Sequence, residues 1–246
     1  MSVYFNINYE FELTRVHEAI DRRVAERHPG YICVSDGVIL VTANRDAEYR
    51  NVINSGMFSI CDSSFVPLYI RLIHGHKFNQ YAGADIFRDI VSSRKYRMIF
   101  LGTSRHILSS LQSRISGWNP DVADMKFIEL PFCEVDDFDY PSIAETIADD
   151  GADIIWIALG APKQERFMHR LLPHLRKGVM IAVGAAFKFY SDDSQARAPQ
   201  WMINNHLEFV YRIYREPRKQ LRRCAKILAY LPAILFKELK NKKKKQ

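Results

Sequence analysis

The sequence predicts an α/β fold: a single Rossmann-like, doubly wound domain with a mainly parallel sheet and a C-terminal helical appendage. Three observations carry this expectation. Apolar runs ending in glycine or small polar clusters alternate with amphipathic stretches along most of the 246 residues. Between Ile154 and Phe187 the alternation is clearest: an apolar run closes at Gly160, the polar Ala161-Pro-Lys-Gln-Glu165 follows, then an amphipathic stretch, then a second apolar run closing at Gly184. Strands apolar on both faces, joined by a helix, are parallel and covered on both sides. Finally, no internal repeat or low-complexity linker interrupts the pattern.

Taken in order, Val3-Tyr-Phe-Asn-Ile-Asn-Tyr-Glu-Phe11 alternates like a strand. Thr14 is the expected N-cap of a helix that runs to about Arg27 and stops at Pro29-Gly30. Tyr31-Ile-Cys-Val-Ser35 and Val38-Ile-Leu-Val-Thr42 read as strand material around Asp36-Gly37, as either a hairpin or a break before one strand. A helix is expected from about Arg45 to Asn54, a strand from Met57 to Cys61, and a helix from about Phe65 to His74. After Tyr81-Ala-Gly-Ala-Asp85 come a short helix, the strand Met98-Ile-Phe-Leu-Gly102 and a helix from about Arg105 to Ser116. A strand near Met125 to Leu130 and a helix near Tyr140 to Asp150 lead into the stretch described first, where Pro162 suits a first helical turn.

Composition narrows the class. With 48% hydrophobic residues the chain can bury a full core. Cys33, Cys61, Cys133 and Cys224 are widely spaced without a CxxC pair, which points away from zinc and disulfides and toward a reducing cytoplasm. The N-terminus has no signal-peptide pattern, and no apolar run reaches the about 18 residues a spanning helix needs. Net charge is +7, but from Arg212 onward 13 Lys or Arg face only Glu216 and Glu238, a net +11 that leaves residues 1–211 at −4. The body is therefore no nucleic-acid binder, and the tail is the candidate contact with something anionic. Residues 1–211 are expected as the α/β domain and 212–246 as a basic amphipathic appendage.

In open parallel sheets ligands bind outside the carboxyl ends of the strands, where loop N–H groups attract anions. Gly160 to Glu165 falls at such an end, with Gln164 and Glu165 offering side chains to the crevice. Gly102-Thr-Ser and Gly160-Ala-Pro follow strands, but neither matches GxGxxG, and GxxxxGK[ST] and GxSxG are absent. On spacing, Asp62 reads first as an N-cap for the next helix and second as a crevice carboxylate. His74 and His76 read as a solvated loop rather than a metal site, and turn chemistry accounts for Thr42 and Asn44 at a strand end.

Gly160-Ala-Pro-Lys-Gln-Glu165, Val183-Gly-Ala-Ala-Phe187, Arg197-Ala-Pro199-Gln-Trp201 and Leu207-Glu-Phe-Val-Tyr-Arg212 through Glu216-Pro-Arg218 occur in that order. Together with Val41-Thr-Ala-Asn44, Asp62 and Tyr81-Ala-Gly-Ala-Asp85, they resemble the WecG/TagA/CpsF family of bacterial glycosyltransferases, glycosyltransferase family 26, over nearly the whole chain. The resemblance implies an inverting, metal-independent transfer of a sugar from a UDP donor to a polyprenyl-diphosphate-linked saccharide. It places the reaction at the cytoplasmic face of the membrane, during assembly of teichoic acid, common antigen, capsule or exopolysaccharide. Asp62 matches the position of the family's base. Thr42, Asn44, Gly83, Asp85, Gln164 and Glu165 fall in motifs that would hold substrate, and Arg197, Arg212, Arg218 and Arg222 are the expected cations for the departing diphosphate. No metal or other cofactor is expected.

Ser63 after Asp62, Phe187-Lys188, and the Asp192-Asp-Ser-Gln-Ala run depart from the family's pattern and bear on the donor sugar, for which an N-acetylmannosamine type is favoured. In the tail, Leu221, Cys224, Leu228, Leu231 and Leu235 recur at helical spacing, and the apolar run from Ile227 to Phe236 is ten residues long, too short to span but suited to an anionic membrane surface. Pro232 is expected to kink or end that helix. A homo-oligomer stays open. The rival class is a non-catalytic α/β module docking on anionic lipid or nucleic acid through its tail, with the missing glycine after Asp62 as its support.

Overall fold

A computed structural model describes residues 1–191, 198–199, 201–202 and 207–245. The first strand expected is two: β1 (Ser2–Tyr4) and β2 (Ile7–Tyr9) pair antiparallel, with Tyr4 opposite Ile7. Phe5 and Asn6 turn the chain at φ 50° and 60°. Asn enters this region more readily than most residues, and the Asn6 amide is held there by a long-range bond, donating to Asn44 Oδ1 at 2.8 Å. Helix α1 (Leu13–Ala25) starts one residue before Thr14, with Glu12 at the cap position, so Thr14 lies inside the first turn. The carboxylate that serves the neighbouring N–H groups is Glu10, which accepts from Phe11 and Glu12 at 3.1 Å each. The helix ends before Pro29, and Gly30 opens the next strand.

The segment with two readings is neither hairpin nor broken strand. β3 (Gly30–Ser35) is buried at every residue, and Val38-Ile-Leu-Val-Thr42 belongs to a helix, α2 (Gly37–Arg45). Asp36 decides it, because its Oδ1 accepts from the N–H groups of Val38 at 2.8 Å and Ile39 at 2.9 Å and so caps the helix. β-branched residues lose little here, since Ile39, Leu40, Val41 and Ala43 are all buried, as a helix hydrophobic on most sides must be. Asp46 caps α3 (Ala47–Asn54) through Tyr49 N–H at 3.0 Å, two residues past the expected start.

β4 (Phe58–Cys61) and α4 (Phe65–His74) follow, the latter closed by Gly75 at φ 79°. α5 (Gly83–Ser93) is longer than the short helix expected, and β5 (Met98–Gly102) and α6 (Arg105–Ile115) sit close to their sequence bounds. β6 (Lys126–Ile128), α7 (Tyr140–Asp150), β7 (Ile154–Ala158), α8 (Lys163–Leu171), β8 (Val179–Ala182) and α9 (Ala186–Ser191) complete the alternation. Pro162 occupies the cap position of α8, one residue before the first turn.

The eight strands form one sheet in the order β1-β2-β4-β3-β8-β7-β5-β6, parallel except at the β1 edge. Alternate residues of each strand feed opposite layers. Ile154, Trp156, Phe100 and Ile32 pack with α1, α5, α6 and α9, whereas Ile155, Ile157, Cys33 and Met180 pack with α2, α3, α7 and α8. This is the doubly wound architecture expected.

Two further helices, α10 (Glu208–Arg215) and α11 (Pro217–Lys245), end the described chain. The boundary expected between residues 211 and 212 falls inside α10. α11 runs through Pro232 instead of ending there; Pro232 is on the exposed side, where the carbonyl of Leu228 that it leaves without an N–H partner can meet solvent. The apolar positions expected on one face divide. Leu231 and Leu235 join Ile227, Tyr230 and the buried Ile234 against the core, while Leu221 and Leu228 are exposed.

Candidate active site

The strand order leaves a crevice of about 1300 Å³ along the carboxyl edge of the sheet. Each parallel strand from β3 to β8 contributes a lining residue just past its end: Asp36, Asp62, Thr103, Glu129, Gly160 and Gly184. The crevice thus lies where the sequence places a ligand, and it brings together elements far apart in the chain.

Asp62 is half-buried in its wall. It does not cap α4, whose cap position is Ser64. Its Oδ1 accepts instead from Gly83 N–H at 2.9 Å, its own N–H donates to Ser35 O at 3.0 Å, and Gln80 holds its carbonyl at 3.0 Å. Gly83 therefore acts through its backbone, and a Cβ there would meet Val34 Cγ1 at 3.0 Å. Burial pushes the Asp62 carboxyl up to about 6; Arg212 and the Gly83 N–H oppose the shift, and Asp36 and Glu208 add to it. The result is a carboxyl that gains and loses a proton near neutral pH, as a general base must.

Two arginines line the crevice, each paired with a carboxylate. Arg212 donates through Nε and Nη2 to Glu208 Oε1 at 3.0 and 2.6 Å and lies over the Phe189 ring at 5.0 Å. Its burial works against the charged form, but Glu208 and Asp62 outweigh it and hold the guanidinium more firmly protonated than usual. Arg223 pairs with Asp36 Oδ2, the oxygen left over from capping α2. Arg218 and Arg222, expected in the site, are exposed and do not line the crevice. Helix rotation explains the exchange, because neighbouring residues project about 100° apart and only Arg223 points inward. Arg197 lies outside the described residues.

Thr42 and Asn44 are not at a strand end either. Both are on α2, where Thr42 Oγ1 donates to Val38 O at 2.7 Å and accepts from Lys226 at 3.2 Å. Asn44 Nδ2 donates to Phe5 O and Leu40 O at 2.9 Å, so it ties the first hairpin to α2. The polar residue that does close β3 is Asp36. Its signal was legible as Asp-Gly before an apolar run, which is an N-cap pattern as well as a turn. Asp85 sits in the first turn of α5 and does not line the crevice.

Gln164 reaches the crevice; Glu165 does not. Glu165 is fully buried and accepts from Tyr49 Oη at 3.0 Å and Gln164 Nε2 at 2.8 Å, while Gln164 Oε1 accepts from Gly160 N–H at 3.0 Å. Burial pushes the Glu165 carboxyl up to about 7, against the pull of these hydrogen bonds. The far end of the crevice is formed by Thr103, Ser104, Arg105, Phe127, Phe132 and Lys163. Gly102 (φ 113°) turns the chain there; a Cβ would lie 2.7 Å from Ala158 O. Of these residues the sequence pointed to Gly102-Thr-Ser and, within Gly160-Ala-Pro-Lys-Gln-Glu165, to Lys163.

Of the two histidines, His76 lies in an exposed loop as expected, whereas His74 belongs to a helix. His74 ends α4 and meets Glu238 at 3.0 Å, and His76 Nδ1 meets Tyr4 Oη at 2.5 Å. Among the described residues no three His, Cys, Asp or Glu side chains are grouped to hold a metal ion.

With this geometry in view, comparisons with known proteins give two findings. The family model described as "Glycosyl transferase WecG/TagA/CpsF family" matches residues 5–245. The chain is 31% identical over 229 residues to a protein of Bacillus subtilis (strain 168) named N-acetylglucosaminyldiphosphoundecaprenol N-acetyl-beta-D-mannosaminyltransferase, covering 89% of this chain and 86% of that one. It is 27% identical over 239 residues to a protein of the same name from Bacillus spizizenii (strain ATCC 23059 / NRRL B-14472 / W23), covering 92% and 90%.

Proposed function

We propose that this chain, which belongs to the WecG/TagA/CpsF family of glycosyltransferases, moves N-acetylmannosamine from a UDP donor to N-acetylglucosamine carried on a polyprenyl diphosphate. The product is a lipid-linked disaccharide for a cell-surface polymer such as teichoic acid. The relatives' names supply the sugars. The observation that carries the chemistry is Asp62, a carboxyl tuned to about 6 with Arg212 facing it at the mouth of the sheet.

The acceptor hydroxyl gives its proton to Asp62 as its oxygen attacks the anomeric carbon, and the bond from that carbon to the UDP oxygen breaks on the opposite side. Configuration at the anomeric carbon inverts. The negative charge that develops on the diphosphate is met by Arg212 and Arg223, which exchange Glu208 and Asp36 for phosphate oxygens. Guanidinium groups thereby do the work of a divalent ion, and the reaction runs without one. The loops ending in Gly160 and Gly184 and the amino end of α6 at Ser104 offer backbone N–H groups to the rest of the donor.

The acceptor's lipid brings the enzyme to the cytoplasmic face of the membrane. No helix of the described residues is long and apolar enough to cross a bilayer. α11 instead exposes Leu221, Leu228, Phe236 and Leu239, three or four residues or a multiple of that spacing apart, with the exposed Arg222, Lys237 and Lys240 beside them. An apolar stripe bordered by cations suits a surface of anionic lipid.

The test is transfer from a panel of UDP-sugars to a lipid-diphosphate N-acetylglucosamine acceptor, with and without EDTA. UDP release and disaccharide are expected with UDP-N-acetylmannosamine in both conditions. Activity lost in EDTA and restored by Mg²⁺ would overturn the arginine reading, and a different preferred donor would overturn the sugar assignment.

A further inference from the structure

Gln164 is a crevice residue whose side-chain amide is held at both ends by the protein. Gly160 N–H can only donate, so the Gln164 atom 3.0 Å from it is the oxygen, and the amide has a single orientation. The nitrogen then faces Glu165 Oε1 at 2.8 Å, and the second Glu165 oxygen is taken by Tyr49 Oη at 3.0 Å. Glu165 and Tyr49 are both fully buried, one on α8 and the other on α3, and their hydrogen bond ties the two helices together. On the remaining side the turn after β8 closes over the amide: Gly184 has φ 50°, and a Cβ there would sit 3.5 Å from Gln164 Oε1. One lone pair of the oxygen is taken by Gly160 and its other side is covered by the Gly184 turn, while one N–H is held by Glu165, so a single N–H of Gln164 is left for the crevice.

We propose that Glu165 is a positioning residue, which with Tyr49 locks the Gln164 amide so that it presents N–H rather than C=O, and that Gln164 therefore reads an acceptor oxygen on the bound sugar. The last clause rests on the reading of the crevice as a sugar-transfer site; the lock itself does not. It also gives Glu165, which no ligand can touch, a part in the reaction.

The lock is tested by hydrogen exchange of the Gln164 side-chain amide in ¹⁵N-labelled protein, its signals identified by their loss in Gln164→Ala. Exchange is slow in the wild type, about tenfold or more faster in Glu165→Ala, and slow again in Glu165→Gln, whose carbonyl oxygen still accepts. Tyr49→Phe, a milder change that keeps the ring packed, also speeds exchange. Unchanged exchange in both Glu165→Ala and Tyr49→Phe overturns the lock, whether or not transfer is observed.

The functional part is read in kcat. Glu165→Ala lowers kcat about 10- to 100-fold with UDP affinity by calorimetry unchanged, Glu165→Gln restores it to within about threefold, and adding Glu165→Ala to Gln164→Ala costs less than about twofold more. Gln164→Glu, which satisfies Gly160 but cannot donate, is as slow as Gln164→Ala. Additive losses, or full activity in Gln164→Glu, overturn the proposal. A wild type that transfers from no UDP-sugar while the exchange pattern holds sinks the transfer reading and the acceptor-oxygen clause, and leaves the lock standing.

Discussion

A carboxylate just past a strand can cap the next helix or face the crevice, and Asp62 is turned to the crevice by one hydrogen bond from Gly83. Asp62→Asn keeps the shape and removes the proton acceptor, so transfer should fall about 10²- to 10⁴-fold with UDP binding retained; near-normal kcat at neutral pH would remove Asp62 from the mechanism. Because only the ionised form accepts a proton, wild-type kcat should fall as pH drops through about 6. Glu165 gives a separate signal in stability. Its carboxyl keeps a proton up to about 7 in the folded chain and loses it near the ordinary carboxylate value when unfolded. The folded state then binds more protons between those values, so stability decreases as pH rises through that window, on the order of 3 kcal/mol for this group if nothing else compensates. Denaturant titrations at pH 5 and pH 8 should show a smaller difference in Glu165→Gln than in the wild type. An equal difference in the two proteins would mean that the buried carboxyl is ionised throughout.

At the level of elements, α2 is the piece that composition hides. Val38-Ile-Leu-Val-Thr42 has strand propensity, and only the Asp36 cap and burial from nearly all sides make it helical. By contrast α4 and α7 were legible almost to the residue, because each is bounded by polar clusters and a glycine that closes it in the left-handed conformation. The arginines show where legibility stops: a charge run names the helix that supplies cations, but whether Arg222 or Arg223 faces inward depends on how α11 is rotated, and that is set by Ile227, Tyr230, Leu231 and Ile234 packing on the core. Ile234, the buried one of the four, is worth about 1.5–3 kcal/mol, and with the partly buried Ile227, Tyr230 and Leu231 it outweighs the part-exposed Asp36–Arg223 pair, worth about 1 kcal/mol or less. Asp36→Asn should therefore fold with nearly unchanged Tm, since Asn still caps α2, and show weaker donor binding or slower transfer. Asp36→Ala, which also loses the cap, should be less stable by about 0.5–2 kcal/mol. Equal melting of the two variants would mean that the cap contributes nothing.

Over the whole molecule, charge is segregated: +11 from residue 212 onward against −4 before it. The tail combines two tasks that can be cut apart, because Arg212 and Arg223 line the crevice while Lys237, Lys240 and Lys243 are exposed beyond it. Removing residues 237–246 should weaken binding to anionic vesicles, most visibly at low salt, and spare transfer to a water-soluble acceptor. Removing everything from Arg212 should abolish transfer to either acceptor. Full activity of the longer deletion on the soluble acceptor would leave the tail as an anchor only. The strand order has a consequence for how the chain is made. β3 is flanked by β4 and β8, with Gly30 opposite Val179 and Ile32 opposite Ile181. During synthesis at about 5–20 residues per second, roughly 7 to 30 s separate the emergence of Ser35 from that of Val179, and for that time a strand buried at every residue in the finished fold has one bare hydrogen-bonding edge. Nascent chains stopped before Val179 should accordingly pellet or hold on to a chaperone, and release should come once β8 has been made and zips the sheet shut from its middle.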